Sequence, residues 1–312
     1  MKILYVDPYS NTSYSKQYLY YEGLYNALKK KHEVYLYREC FTDYNKIKGE
    51  IPFIPDVVLF GLSWFEKHSF FKKIKNLDLF KICYLFKPSV DFENKINFLK
   101  VNEIDLVITP HIFFNELEKI LNTRIVLFPY GFDPNIFYPR NLEKFYDFGF
   151  SGALHNENNY PDGAFKNSNI RQKAYDLIKS MDLLNYFWKS TDVFETARIH
   201  DNIEYAEKIN KSKMWMATQA AYGDITPRYF EVMGSGSLLF CEENPVEYEK
   251  IFKHNINCIE FKSSLKNFKI KMNKILKNED KLIKIGKEGC KEAHEKHTWY
   301  KRSDQLVALI NQ

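Results

Sequence analysis

Arg228 and Glu231 stand three residues apart in the run Asp224-Ile225-Thr226-Pro227-Arg228-Tyr229-Phe230-Glu231-Val232-Met233-Gly234-Ser235-Gly236. On a short helix that spacing puts a cation and a carboxylate on one face. Thr226 suits the N-cap, Pro227 the first helical position and Gly234 or Gly236 the exit, and residues 237–241 read as a buried strand. The backbone N–H groups of Thr226, Arg228 and Tyr229 form a positive, anion-accepting end about one turn from the carboxylate. A sugar nucleotide uses both features: the helix end and Arg228 suit its diphosphate, and a carboxylate accepts hydrogen bonds from two ribose hydroxyls. The plainer alternative is a surface i, i+3 ion pair worth roughly 0.3 kcal/mol.

The elements that must position this segment alternate along the chain. Residues 2–6 (KILYV) form an apolar run ending at Asp7-Pro8, residues 16–30 show helical periodicity, and residues 32–37 read as a second strand. That is a βαβ unit, and loops at the carboxyl ends of such strands bind ligands. Ser10 and Asn11, in the hydroxyl-rich loop 9–15, are therefore substrate-loop candidates, with ordinary turn and cap formation as the alternative. Residues 56–61, 81–86, 105–109 and 124–128 supply further buried strands, with a helix over 113–121. The first half thus predicts a Rossmann-like parallel sheet of at least six strands. It carries no GxGxxG and no GxxxxGK[ST] signature.

The second half restarts with a strand over 146–152 that ends in small residues. A long polar loop, 153–169, leads to a helix from Asn169-Ile170-Arg171. Gly152 lets a backbone approach a diphosphate, and Arg171 or Lys173 offers charge to neutralise it, with solvated cations as the alternative. A helix over 203–211 and strands over 214–218 and 257–261 follow, with a further helix over 264–276.

Pro227-Arg228-x-Phe230-Glu231-x-x-x-x-Gly236 resembles the donor-binding segment of GT-B glycosyltransferases, particularly the group that includes the CgeB-like spore-maturation proteins. A second point of resemblance lies near the middle, where Pro129, Gly131, Asp133, Phe137 and Pro139 match the crossover between the halves of such enzymes. Tyr205, Asn210, Ser212 and Lys213 fill a further pattern of the group, and are assigned to scaffold first and to the nucleotide pocket second. His297-Thr298-Trp299 with Arg302 looks like its last helix.

The resemblance implies an α/β protein of GT-B architecture, with two Rossmann-like domains facing across a cleft. Its domains would be an acceptor domain over 1–137, a donor domain over 138–296, and a helix over 297–312 crossing back to the first. It implies ribose binding by Glu231 and phosphate binding by Gly152 and Arg171. It departs from the related retaining families at Gly223, where they carry a second acid; Asp224 stands beside it.

The activity implied is transfer of a sugar from a nucleotide-sugar donor, a UDP-sugar first, to an acceptor hydroxyl on a surface glycan, lipid-linked glycan or protein. Neither a tightly bound cofactor nor a divalent ion is expected, since no DxD is present and the helix end and basic side chains stabilise the leaving diphosphate. Retention follows by family analogy. Asp91, in Lys87-Pro88-Ser89-Val90-Asp91, and His111, after Thr109-Pro110, are the candidates for base or acceptor-positioning group, with helix cap and loop residue as the alternatives. Three other readings stand beside transfer: a non-catalytic nucleotide-sugar-binding protein, a transferase acting on modified DNA bases, and a GT-B sugar-nucleotide epimerase.

Composition agrees with a large globular chain. Of 312 residues 45% are hydrophobic, enough for two cores, and 45 basic against 40 acidic residues leave a net +5. That charge permits an anionic substrate or peripheral membrane contact and does not demand nucleic acid. The five cysteines form no CxxC and no zinc spacing, which points to reduced thiols in a cytoplasmic protein. Neither a signal peptide nor a membrane-spanning run is expected. Glu292, His294 and His297 do not make up a metal-ligand set on spacing alone.

Overall fold

The computed structural model describes residues 1–7, 19–62, 72–86, 88, 91–112, 114–154, 170–181, 185–191, 194–197, 199–220 and 223–312. Ser10 and Asn11 lie outside the described residues. Contacts divide the chain into two compact units, Met1–Pro129 with Arg302–Gln312, and Tyr130–Lys301.

The first unit is built from β1 (Lys2–Val6), α1 (Leu19–Lys29), β2 (Glu33–Tyr37), β3 (Val57–Leu62), β4 (Phe80–Leu85), α2 (Phe92–Val101), β5 (Leu106–Thr109), α3 (Phe114–Leu121) and β6 (Arg124–Leu127). Its strands form one six-stranded sheet in the order β2-β1-β3-β4-β5-β6, every pair parallel. The strands are apolar on both faces because both are covered. Leu4, Val6, Val58, Phe60, Cys83, Leu85 and Val107 meet Phe98 and Leu99 of α2 in one core. Ile3, Tyr5, Leu59, Ile82 and Tyr84, which alternate with them, are buried as well. Each large apolar side chain so covered contributes about 2 kcal/mol. The last residues of the chain close this unit: Leu306 is buried, Lys31 Nζ meets Asp304 at 2.6 Å and Arg124 reaches Gln312 at 2.6 Å. The Lys31–Asp304 pair is exposed and adds little; the burial of Leu306 holds the segment.

The second unit contains β7 (Tyr146–Ser151), α4 (Ile170–Lys179), β8 (Tyr186–Lys189), α5 (Phe194–Ala197), α6 (Asn202–Asn210), β9 (Ser212–Ala217), α7 (Pro227–Gly234), β10 (Leu238–Glu242), β11 (Ile259–Phe261), α8 (Phe268–Leu276) and α9 (Glu279–Lys296). A final helix, α10 (Trp299–Ile310), runs into the terminal segment. The sheet order is β11-β10-β9-β7-β8, again all parallel. Phe148, Phe150, Met214, Met216, Phe240, Phe261 and Phe268 form its core.

Several elements differ from the sequence expectation, among them α9, which it did not name. β8 was not expected: its four residues, YFWK, are all half-buried at a sheet edge and too few to show a period. β9 starts at Ser212 rather than at 214, because Ser212 already pairs with Tyr146.

α7 has Thr226 at its N-cap position in extended geometry and Pro227 inside its first turn. Gly236 carries φ +77° just beyond the helix, with its amide on the Met233 carbonyl at 3.0 Å, so a residue free to turn left-handed ends α7 and admits β10. His294 Nε2 lies 2.9 Å from the Gly234 carbonyl; the carbonyl only accepts, so this nitrogen carries the proton and caps the helix end. Asn210 ties residues 138–140 to α6: its amide donates to Tyr138 O and its oxygen accepts from Arg140 N. Lys144 Nζ donates to Asn210 O, Ser212 O and Ser237 Oγ in the same region. Among the described residues no helix is long and apolar enough to cross a membrane.

Candidate functional site

Where strand order reverses in an open parallel sheet, the connections leave to opposite sides and open a crevice beyond the strand ends. In the second unit that point lies between β7 and β9. Gly152 and Ala153 leave β7 there, Thr218 leaves β9, and Glu242 ends the neighbouring β10.

Arg171, buried on the first turn of α4, bridges the reversal. Its Nε donates to Thr218 Oγ1 at 2.9 Å and its Nη1 to the Ala153 carbonyl. Arg228 approaches the same strand end from α7, its Nε donating to the Tyr205 hydroxyl at 3.3 Å. The two guanidinium groups lie 5.7 and 5.3 Å from the centre of the Phe150 ring. Gly152 lies under Arg228: a Cβ on it would stand 2.8 Å from Arg228 Nη2 and 3.3 Å from the Phe150 ring. A side chain at Gly152 would require Arg228 to shift.

The start of α7 adds the helix dipole to these cations. Thr226 stands at the N-cap, yet its side chain caps nothing: among the described residues its buried Oγ1 has no hydrogen-bond partner. A buried hydroxyl in that condition is costly unless something supplies an acceptor or donor. The Tyr229 amide is not open as expected, because it donates to the Thr226 carbonyl at 3.2 Å. Glu231 follows Arg228 by three residues and is 8% exposed; Asp224, just ahead of the helix, is 9% exposed. Gly223 beside it has φ +84°.

Several predicted residues take other roles. Tyr229 and Phe230 are fully buried against Phe252, with ring centres 5.2 Å away in each case, so they hold α7 in place and their side chains face the core. Tyr205 packs edge-on to Phe137 and Trp215 while its hydroxyl receives Arg228, which joins scaffold and site in one residue. Lys173 is exposed: two residues after Arg171 it faces away from the strand ends. Lys213 pairs with Asp147 at 2.8 Å.

Glu242 was missed. It is fully buried at the end of β10, where its carboxylate accepts from the Gln219 amide at 3.0 Å and from Ser263 Oγ at 2.7 Å. Burial raises its pKa; the Ser263 and Gln219 bonds and the Arg171 charge pull the other way. The signal was present as a carboxylate ending an otherwise apolar strand run, LLFCE.

The first unit has its own strand-order reversal, between β1 and β3. Asp7 leaves β1 there, 6% exposed, and a Cβ on Gly61 of β3 would touch its carboxyl carbon at 3.5 Å. Asp7 was also missed, although it directly follows the KILYV run. Asp91 precedes α2 in the left-handed region, φ 55° and ψ 44°; it does not cap the helix and instead accepts from Asn94 Nδ2 at 2.7 Å. His111 follows β5 and is 3% exposed, its amide donating to Thr109 Oγ1 at 3.2 Å. Burial first, and the charge of Lys95 second, lower its imidazole to about 4, so it is neutral at pH 7. Lys95, itself fully buried on α2, donates to the Phe86 carbonyl at 2.9 Å.

The model of the family described as "Glycosyl transferase-like" matches residues 169–308. No curated protein matches the chain. Sucrose-phosphate synthase from Thermosynechococcus elongatus has a similar structure, with a TM-score of 0.65 at 11% identity, covering 100% of this chain and 99% of that one. Anabaena Alr3699/HepE in complex with UDP gives 0.59 at 10% identity, covering 100% of both chains. The DNA-modifying enzyme β-glucosyltransferase, solved in the presence and absence of uridine diphosphoglucose, gives 0.55 at 13% identity, covering 99% of this chain and 98% of that one. At these identities the likeness shows the fold, which is that of GT-B glycosyltransferases: two parallel-sheet, Rossmann-like α/β units.

Proposed function

We propose that this chain transfers a sugar from a nucleotide-sugar donor to an acceptor hydroxyl, with retention and without a bound divalent ion. One observation carries the reading: two guanidinium groups, a glycine backbone and a helix N-terminus with an unsatisfied Thr226 hydroxyl converge at one strand end. That set suits a diphosphate, whose departure leaves negative charge for Arg228 and the α7 dipole to stabilise. Glu231, one helical turn further on, accepts from the ribose hydroxyls, and Asp224 lies on the approach to the same helix. Arg171 acts mainly by fixing Ala153 and Thr218. UDP-sugars are the first series to test, because Alr3699/HepE has been solved with UDP and with UDP-glucose. Asp91 and His111 are candidates for handling the acceptor hydroxyl, His111 as a neutral imidazole. The acceptor would be a surface glycan, a lipid-linked glycan or a protein.

The test is a thermal-shift panel of UDP-, GDP-, ADP-, CMP- and dTDP-sugars, with and without EDTA, on wild type and Glu231→Ala. At a hundred times its Kd a ligand adds about 2.7 kcal/mol. A shift with one nucleotide series, unchanged by EDTA and lost in the variant, supports the donor site; no shift with any series sinks it. A second reading, binding without transfer, is favoured by Gly223 standing where related families carry an acid. Product analysis separates the two, since only transfer consumes an acceptor.

A further inference from the structure

At the opposite edge of the second sheet, where β11 begins, a cavity of about 220 Å³ is lined by His254, Asn255, Lys271, Lys274, Asn278 and Lys281, with Ile259 and Ile275 as its apolar floor. Among the described residues three lysines line it and no acidic side chain does. The volume exceeds that of a single water, about 30 Å³, several-fold.

The hydrogen bonds within it are mismatched. His254 Nδ1 accepts the Glu260 amide at 2.9 Å, so that nitrogen carries no proton and the neutral ring holds its hydrogen on Nε2. Nε2 lies 3.2 Å from Lys271 Nζ. Lys271 is fixed there by donating to the Glu260 carbonyl at 2.7 Å, and an ammonium has hydrogens and no lone pair. Two donors thus face each other, while Lys281 Nζ, on the Asn255 oxygen at 2.9 Å, brings a second cation to the same wall. Burial and the charges of Lys271 and Lys281 lower the His254 pKa, in keeping with a ring that stays neutral beside them.

An acceptor-only ligand with several oxygens resolves this arrangement, because it can take hydrogen bonds from Nε2 and from the lysines while offsetting their mutual repulsion. We propose that this cavity binds a phosphate-type anion, either a soluble phosphate or the phosphate of a lipid headgroup. Lys274, exposed at the rim, meets it first. The site is separate from the strand-end cluster of Arg171 and Arg228.

Inorganic phosphate is the first probe, titrated against sodium chloride at matched ionic strength while the melting temperature of the whole chain is followed. Wild type should show a saturable rise. Lys274→Glu and Lys281→Glu should lose it, and Arg228→Ala should keep it. A rise equal in wild type and both lysine variants, or lost only in Arg228→Ala, overturns the proposal. In the second arm the chain is sedimented with phosphatidylcholine vesicles, with and without phosphatidylglycerol. Sedimentation that needs phosphatidylglycerol and is lost in Lys274→Glu assigns the anion to a headgroup. A phosphate-dependent rise with no such sedimentation assigns it to a soluble ligand. If neither response is seen, the site is overturned. His254→Gln serves as a check on folding: its melting temperature without phosphate should stay close to wild type while its phosphate response falls.

Discussion

The chain leaves β1 with Asp7, a carboxylate, and leaves β7 with Gly152 and Ala153 under two guanidinium groups. Both strands hold the same place in their sheets, flanked on one side by the second strand of the unit and on the other by the third. One topology therefore provides a crevice twice, and the residues at its mouth give it opposite chemistry. The second unit collects positive charge around an open backbone, which suits phosphate oxygens. The first presents the Asp7 carboxylate beside Gly61 of β3, a group that accepts hydrogen bonds from neutral hydroxyls. A shared fold decides where a ligand can sit; the side chains decide which.

The contrast can be broken at four points. The largest effect should be a pH dependence in the first unit. His111 takes up a proton in the unfolded chain near 6.5 and in the folded chain only near 4, so stability is full above pH 6.5 and is lost as pH falls toward 4. The loss is roughly 3 kcal/mol, and urea titrations across that range should show it flattened in His111→Gln. If the two profiles coincide, burial in the first unit does not hold His111 neutral. Next comes Gly149 in β7, where a Cβ would stand 2.1 Å from the fully buried Trp215 ring. Gly149→Ala should cost about 2 kcal/mol of unfolding free energy through overpacking. Arg228→Ala should weaken nucleotide-sugar binding roughly tenfold, read by calorimetry, with the melting temperature of the free protein little changed. The smallest effect belongs to Gly61→Ala in β3, whose new methyl meets Asp7 at an ordinary 3.5 Å; a change below ~0.5 kcal/mol is expected.

Strands buried on both faces were legible because their apolar runs are bounded by polar loops, as at KILYV and VVLFGL. The short edge strand YFWK was not, since half-burial leaves no pattern to read. Gly152, Arg228 and Glu231 could be singled out by local spacing and resemblance, because the helix start they depend on is itself local. Lys95 could not be read this way, and for Glu242 the strand-end position was legible but its partners were not. Nothing near Lys95 in the sequence tells that its amine reaches the Phe86 carbonyl, and Glu242 gains its partners from residues 219 and 263. Tyr229 and Phe230 matched a motif for binding, but the aromatic contacts with Phe252 that claim their side chains are set by tertiary packing.

The grouping of Arg302–Gln312 with Met1–Pro129 sets an order of assembly. Residues 130–301 form a continuous stretch, so the second unit has all its parts once they have left the ribosome. The first unit, although its sheet is synthesised earlier, waits for the final segment before Leu306 can fill its place and Asp304 can meet Lys31. During translation the earlier-made half is thus the later one to be finished, and the place that Leu306 fills stays open until then.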